Sequence, residues 1–355
     1  MKTLRDFSLE KKRVLVRCDF NLPLAESGEI LDDFRIQKTL PTINYLLEKG
    51  AKIILMSHLA KPGGKVVESL RLTNIQQRLM EYLDLSVTKA KDCIGKDIED
   101  WTLKMQEGEI LLLENLRFHR EEEAGDLNFA QELAKLGDIF INDAFGACHR
   151  AHASIVGVPK YLPSGAGFLL AEEIKNLEKL IKLPQKPMIS IIGGQKVETK
   201  AKLIDRISEI SDFLLVGGLI KKEIETKKIH LKNPQKILGP VDSQIQGLDI
   251  GPKTVELFKE KIARAKTIFW NGPLGKIEKE QFSKGTKEIA KAICQGQAFS
   301  VVGGGETVEF IRQLNLTDKF THVSTGGGAM LTFLSGEKLP GITVLEDNAN
   351  LQMKC

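Results

Sequence analysis

Four times in the second half of this chain an apolar run stops at glycines and a helix-like pattern begins. The turns are Ile191-Ile-Gly193-Gly194, Leu215-Val-Gly217-Gly218, Val301-Val-Gly303-Gly304-Gly305-Glu306-Thr307 and Ser324-Thr-Gly326-Gly327-Gly328. A helix entered in this way leaves its first backbone amides without carbonyl partners, and glycine keeps side chains from screening them. Such bare donors, at the positive end of a helix dipole, suit an anion. If the apolar runs are parallel strands of one sheet, the turns line its carboxyl edge, where open α/β sheets bind ligands. The alternative for any single turn is a tight connection with no ligand.

The first half carries the complementary signal. Strand-like runs are expected over residues 13–20, 52–58, 109–118 and 138–145, alternating with helical patterns over 42–49, 72–83 and 127–136. This alternation marks a largely parallel sheet. The strand ends are polar: Arg17, Asp19 and Asn21 after the first, His58 and Lys61 after the second, Asn115 and Arg117 at the third, Asn142, Asp143, His149, Arg150 and His152 after the fourth. With Arg35, read as a loop residue before the first long helix, the residues His58, Lys61, Arg117 and Arg150 are expected to converge into a positive patch. Charge-assisted bonds of roughly 1.5–3 kcal/mol each would let it hold a small polyanion. His149, His152 and Asp143 could also be read as metal ligands, but no third ligand stands at a standard spacing, and hydrogen-bonding roles fit better. Cys18 and Cys148 have no evident thiolate-stabilising partner, and no chemistry is assigned to them.

At 355 residues the chain exceeds what one core usually supports, so two lobes are expected. Residues 163–167 break the pattern, and 168–183 read as an amphipathic helix ended by Pro184, a connector between the lobes. Strands of the second lobe are expected over 187–192, 213–216, 267–270, 298–302 and 321–324. The fold class is therefore α/β, two doubly wound parallel-sheet (Rossmann-like) domains joined by a helix, with a cleft between them. A net charge of +4, from 51 basic and 47 acidic residues, gives no basis for coating nucleic acid. Five scattered cysteines without a CxxC pair suit a reducing cytoplasm, and no apolar run is long enough for a membrane span. Neither G-x-x-x-x-G-K-[ST] nor G-x-G-x-x-G is present, which disfavours a nicotinamide dehydrogenase.

Lys196 and Lys200, one helical turn apart, are expected on one side of the helix after Gly194, where flexible point charges suit a phosphoryl group that changes place. Trp270-Asn271-Gly272-Pro273 reads as a strand end and turn. Beyond it Glu278 could accept from a ribose hydroxyl, while Glu306 could hold Mg²⁺ against phosphates.

Taken together, Arg17-Cys-Asp-Phe-Asn21, Ser57-His-Leu59, Glu114-Asn-Leu-Arg-Phe118, Asn142-Asp-Ala-Phe-Gly146, His149-Arg-Ala-His152, Gly194-Gln-Lys196, Gly247-Leu-Asp249, Trp270-Asn-Gly-Pro273, Gly303–Thr307 and Ser324–Gly328 resemble the phosphoglycerate kinase family, in its order and across nearly the whole chain. The resemblance implies reversible phosphoryl transfer between 1,3-bisphosphoglycerate and MgADP, giving 3-phosphoglycerate and MgATP, by a cytoplasmic enzyme expected to act as a monomer. It implies a phosphoglycerate-binding domain of residues 1–167 completed by a returning 341–355, a connector of 168–184, and a nucleotide-binding domain of 185–340. Carried over by position, Asp19, Asn21 and Arg35 hold the glycerate, with Arg35 reaching the moving phosphoryl. His58, Arg117 and Arg150 bind the other phosphate of the substrate, and Lys61 is a further substrate-binding position. Nucleotide contacts fall on Gly194, Lys196, Lys200, Gly217, Gly218, Leu248, Asn271, Gly272, Pro273, Glu278, Gly303, Gly304, Gly305, Glu306 and Thr307, with Glu306 as metal ligand. Arg35, Lys196, Gly304 and Gly327 carry catalysis.

The sequence departs from the family pattern at four places. Lys61 replaces an arginine and loses its fork, Glu306 replaces an aspartate, Gln195 replaces a small residue, and the stretch from Gly217 to Gly247 is several tens of residues short. Because these cluster in the nucleotide half, a non-catalytic phosphometabolite- or nucleotide-binding module is the second reading.

Overall fold

The computed structural model describes residues 1–194, 200–244 and 247–352. It divides into two compact units, Met1–Glu172 with Lys338–Cys355, and Glu173–Glu337. In the first unit the elements are β1 (Arg13–Arg17), α1 (Phe34–Glu48), β2 (Lys52–Met56), α2 (Thr73–Leu83), β3 (Val87–Lys89), α3 (Lys96–Lys104), β4 (Ile110–Leu112), α4 (Arg120–Ala124), α5 (Leu127–Ala134), β5 (Ile139–Asn142) and β6 (Ser164–Ala166). All its strands pair in parallel, in the order β3-β4-β2-β1-β5-β6. Central strands such as Val14-Leu-Val16 are apolar at every position because helices cover both faces of such a sheet. Val14 and Val16 join Ile53, Leu55, Ile139 and Ile141 in one core with Ile36, Ile43 and Leu46 of α1, while Leu15 is buried on the opposite pleat.

The strand expected over 109–118 is shorter, ending at Leu112, and Leu116–Phe118 forms a 3₁₀ turn that carries Arg117. The break expected at 163–167 holds the edge strand β6, paired to β5. Arg35 is not a loop residue: α1 begins at Phe34, eight residues before the expected start, so Arg35 lies in its first turn. Asp32 accepts from the Phe34 amide at 2.8 Å, and burial of Phe34, Ile36 and Thr39 carries the helix through Pro41. A proline there removes one intrahelical bond, a loss that burial of these residues offsets.

α6 (Phe168–Lys182) starts in the first unit and continues into the second. Asp143 sets its entry, accepting from the Leu169 and Leu170 amides at 2.9 and 3.3 Å. The second unit then runs β7 (Met188–Ile192), α7 (Ala201–Ile210), β8 (Phe213–Val216), α8 (Gly218–Thr226), β9 (Ile237–Leu238), α9 (Pro252–Ala263), β10 (Thr267–Asn271), α10 (Lys284–Gln295), β11 (Phe299–Gly303), α11 (Gly305–Gln313), β12 (His322–Val323) and α12 (Gly328–Leu334). Its parallel order is β12-β11-β10-β7-β8-β9. α13 (Pro340–Gln352) packs back on β6 and belongs to the first unit. Both sheets are therefore doubly wound, as expected. No helix among the described residues is long and apolar enough to cross a membrane.

Candidate active site

In the first unit Arg35, Arg117 and Arg150 of the expected patch lie around His58, joined by Arg17. The parallel register of β1, β2 and β5 brings their carboxyl ends together. His58 is 5 % exposed, and its imidazole is held well below the usual histidine range by burial first and then by Arg17, Arg117, Arg150 and Arg35. A neutral imidazole among four guanidinium groups can still donate one N–H to an anion. Arg35 donates through Nη1 to Asp19 at 3.2 Å and to the Asn21 carbonyl at 2.9 Å, and Asn21 Oδ1 accepts from the Ala60 amide at 2.8 Å. Arg117 uses Nη1 on the Ala60 carbonyl at 2.6 Å, while its buried Nη2 has no hydrogen-bond partner among the described residues. Burial lowers its pKa. A buried orphan donor on a charged group calls for an acceptor, and an anionic ligand supplies one. Arg150 donates through Nε to His149 Nε2 at 3.2 Å. Lys61 is exposed and makes no hydrogen bond or ion pair among the described residues.

Beneath the patch lies a network the sequence reading missed. Glu122 on α4, wholly buried, accepts from the Ser154 amide at 2.9 Å and the Ser154 hydroxyl at 2.6 Å, with Arg17 Nη2 at 3.7 Å. His152 belongs here too, its Nδ1 3.8 Å from Glu122. Burial and the surrounding arginines push its pKa down to about 3. Its Nδ1 is buried with no hydrogen-bond partner among the described residues, so the expected hydrogen-bonding role is not seen there, and it belongs to no group of three side chains within ligating reach of one another. Among the described residues, the one group of three His, Cys or carboxylate side chains within ligating reach of one another is Asp92, Cys93 and His119. Asp92 and His119 there share a direct 2.6 Å hydrogen bond, and none of these residues is among the candidates.

In the second unit the glycine turns enclose two adjoining cavities. One, of about 720 Å³, is lined by Gly194, Lys200, Asn271, Gly272, Pro273, Glu278, Gly304, Gly305, Glu306, Thr307 and Gly327, all expected site residues, with Leu331. The other, of about 310 Å³, adds Gly217, Gly218 and Leu248, together with Leu219 and Glu223 on α8, and Leu274, Gly275 and Lys276. These last five were not singled out, although Leu219 and Glu223 stand one helical turn apart after the Gly217-Gly218 signal. Gly193 and Gly272 are glycine for packing, since a Cβ on Gly193 would lie 2.0 Å from the Pro273 carbonyl. Gly303, which ends β11, is backed by Met330 in the same way. Gly305 and Gly327 differ: a Cβ on either meets nothing within 4 Å. Their bareness leaves the first amides of α11 and the turn before α12 open to the cavity.

Asn271 Nδ2 donates to the Gly303 carbonyl at 3.0 Å, and the Thr307 hydroxyl accepts from the Gly272 amide at 3.0 Å, tying the turns after β10 and β11 together. Lys200 is not inside a helix. It immediately precedes α7 and donates to the Gly193 carbonyl at 2.6 Å. Burial lowers its pKa to about 8 against the raising influence of Glu306. Lys196 lies outside the described residues. The turn at Ser324–Gly328 is anchored by Glu173 of α6, another residue not anticipated. Its carboxylate accepts from the Thr325 amide at 2.6 Å and hydroxyl at 2.8 Å and contacts His322 Nε2 at 2.8 Å.

The family model for phosphoglycerate kinase matches residues 4–228 and 220–337. Among curated proteins, the phosphoglycerate kinase of Dictyoglomus turgidum is 45 % identical over 389 aligned positions, covering 97 % of this chain and 98 % of that protein. That of Borrelia garinii is 44 % identical, with 98 % and 99 % covered. The structure of phosphoglycerate kinase from Pyrococcus horikoshii superimposes with a TM-score of 0.89 at 32 % identity, covering 99 % of this chain and all of that one. The structure from Coxiella burnetii gives 0.83 at 32 % identity, covering 98 % and 99 %. An alignment of 389 positions on a 355-residue chain means that the relatives carry residues this chain lacks. The family model matches in two pieces that overlap at 220–228, from within α8 to just past its end and inside the stretch read as shortened.

Proposed function

The chain belongs to the phosphoglycerate kinase family, a phosphotransferase with a carboxyl acceptor, and from that premise we propose which residues carry the transfer. The reaction moves a phosphoryl group between the acyl phosphate of 1,3-bisphosphoglycerate and ADP. An oxygen of the ADP β-phosphate attacks, the acyl P–O bond breaks, and a carboxylate leaves, so no general base and no covalent enzyme intermediate are needed. Positioning and charge neutralisation supply the catalysis.

On this reading His58, Arg117 and Arg150 bind the phosphate that stays, with Lys61 as an outer charge, and Asp19 and Asn21 hold the glycerate. Arg35 meets the moving group. The unpartnered Arg117 Nη2 is the observation that carries this half. Lys200, the open amides from Gly304 to Thr307 and the turn at Gly327 receive the nucleotide phosphates and the transition-state charge. Lys196 is assigned by its place in the motif to follow the phosphoryl group. The smaller cavity, with Gly217, Gly218 and Leu248, takes the base, and Glu278 the ribose. Mg²⁺ takes few protein ligands and completes its shell with phosphate oxygens and water. Glu306, an acidic side chain in the first turn of α11 and lining both cavities, fits that donor set. Bound there, Mg²⁺ would neutralise charge on the nucleotide phosphates. That Cys18, Cys93, Cys148 and Cys294 are thiols, none of them in a disulfide, supports a cytoplasmic setting, and we take the working molecule to be a monomer.

The test is a coupled assay with ADP and 1,3-bisphosphoglycerate on the full chain and on Arg35→Ala and Lys196→Ala. Each substitution is expected to lower kcat by at least about a hundredfold while changing ADP affinity far less. Full turnover in both variants would remove the role assignment. Names of whole-length relatives give the non-catalytic reading no support.

A further inference from the structure

Arg17, at the end of β1, is wholly buried and so is not placed to touch a ligand. Each of its three nitrogens makes an inward contact. Nε donates to the Ser154 hydroxyl at 2.8 Å, Nη1 to the Cys18 carbonyl, and Nη2 lies 3.1 Å from His58 Nδ1. A guanidinium has donors only, so in this last contact the imidazole nitrogen must be the acceptor. That fixes a choice that geometry alone usually leaves open. The single proton of a neutral His58 sits on Nε2, which has no hydrogen-bond partner among the described residues.

We propose that Arg17, neutralised and oriented by Glu122 through Ser154, is a positioning residue that locks His58 in the Nε2–H tautomer, so that this nitrogen donates to the phosphate of the glycerate substrate. The proposal rests on His58 being a phosphate ligand. In the opposite tautomer Nδ1–H would face the Arg17 N–H, and the Nε2 lone pair would face a phosphate oxygen, so both contacts would be repulsive. Protonating both nitrogens is opposed by burial and by the surrounding arginines. A neutral ring with a dictated tautomer keeps its donor without adding a further positive charge to the patch.

The Glu122 carboxylate makes the arrangement tenable. A buried guanidinium alone would be strongly disfavoured, and Glu122, itself wholly buried, lies 3.7 Å from Nη2 and is joined to Nε through the Ser154 hydroxyl, which accepts from Arg17 and donates to Glu122. The elements are 32 to 137 residues apart in sequence: Ser154 from Glu122 and from Arg17 respectively. The sequence therefore shows three unrelated polar residues where the fold makes one relay.

The experiment is long-range ¹H–¹⁵N correlation of the imidazoles in the full-length protein at pH 7, with His58→Gln to assign the signal, with and without 3-phosphoglycerate. The unliganded protein should show His58 protonated at Nε2 and bare at Nδ1. Removing the pair together, Arg17→Met with Glu122→Gln, avoids stranding a buried carboxylate. It should release the ring to mixed tautomers and raise KM for 3-phosphoglycerate about tenfold, with kcat within about twofold. Should that variant not fold, Arg17→Gln with Glu122→Gln, in which the amide at position 17 can accept as well as donate, gives the same tautomer readout. Protonation at Nδ1 in the wild-type protein, or an unmoved tautomer in the variant, overturns the proposal. An Nε2–H ring that ignores added 3-phosphoglycerate would instead overturn His58 as a phosphate ligand while leaving its tautomer explained.

Discussion

Lys200 stands at the join of two facts, a 2.6 Å bond to the Gly193 carbonyl and a pKa brought down to about 8 by burial. Below that value the ammonium is charged. Phosphate oxygens favour the charged form, so nucleotide binding takes up protons from about pH 8 upward, and affinity falls as pH rises through that window. For the protein without ligand the sign is opposite. The unfolded chain holds the lysine proton up to about pH 10.4, so this group makes stability rise between about pH 8 and 10. Calorimetric titration with ADP at pH 7, 8 and 9, in buffers of different ionisation enthalpy, should show this proton uptake in the wild type and its loss in Lys200→Met. A wild-type affinity flat across the window would dissociate Lys200 from the phosphates. Gly305 permits a sharper separation of fold from function. A Cβ there meets no atom within 4 Å, and the position is helical. Gly305→Ala should therefore leave stability unchanged or raise it by up to about 1 kcal/mol. The same methyl group would stand over the open amides, so KM for ADP should rise several-fold. Loss of stability with unaltered KM would mean the bare edge serves packing and not a ligand.

At the scale of elements, Asp143 shows how a strand end can set a helix. Its Oδ1 accepts from two α6 amides, yet burial raises its pKa to about 7 against the lowering influence of Thr42 and those amides. The folded state then holds a proton that the unfolded chain releases near pH 4, so this group's contribution to stability is present below pH 4 and is lost as pH rises to about 7. Asp143→Asn keeps an Oδ1 acceptor and removes the titration. Denaturant unfolding at pH 4 to 7.5 should show a smaller decline in stability across that interval than the wild type, and an unchanged decline would place the titration elsewhere. The long apolar strands were legible because their patterning is forced by burial on both faces: Phe213–Val216 is found at its expected bounds, and Thr267–Asn271 within one residue. β6 was not legible, because Ser164-Gly-Ala166 has little strand propensity and exists only through pairing with β5. The candidate site divides in the same way. Residues ending apolar strands could be found from position alone, whereas Glu122 and Glu173 act on partners brought near only by the fold, Glu173 on Thr325 at a separation of 152 residues. The start of α1 was missed because Pro41 reads locally as a boundary, and only the burial of Phe34 and Ile36 overrides it.

For the whole molecule the consequential feature is chain order: the first unit is completed by residues that follow the second. α13 is held there by Asn348, whose Nδ2 donates to the Pro159 and Leu162 carbonyls at 2.6 and 3.1 Å and whose Oδ1 accepts from the Ser164 amide at 3.1 Å. Leu345 is wholly buried, and Leu339 and Ile342 are nearly so. At about 1.5–3 kcal/mol for each buried side chain, these three alone approach the roughly 5–15 kcal/mol that stabilises a domain. A chain ending at Glu337 should therefore keep the second unit and lose the first. Each proposed ligand site lies within one unit, so ligands can label the units' thermal transitions, because binding stabilises the state that binds. In the intact protein, 3-phosphoglycerate should raise the transition of the first unit and ADP that of the second. Leu345→Ala, a graded version costing about 2–5 kcal/mol, should lower only the transition that 3-phosphoglycerate raises. In the truncated chain the ADP-responsive transition should persist while the other disappears. A scan in which Leu345→Ala lowers the ADP-responsive transition equally would show that the units unfold as one cooperative body, with α13 supporting both.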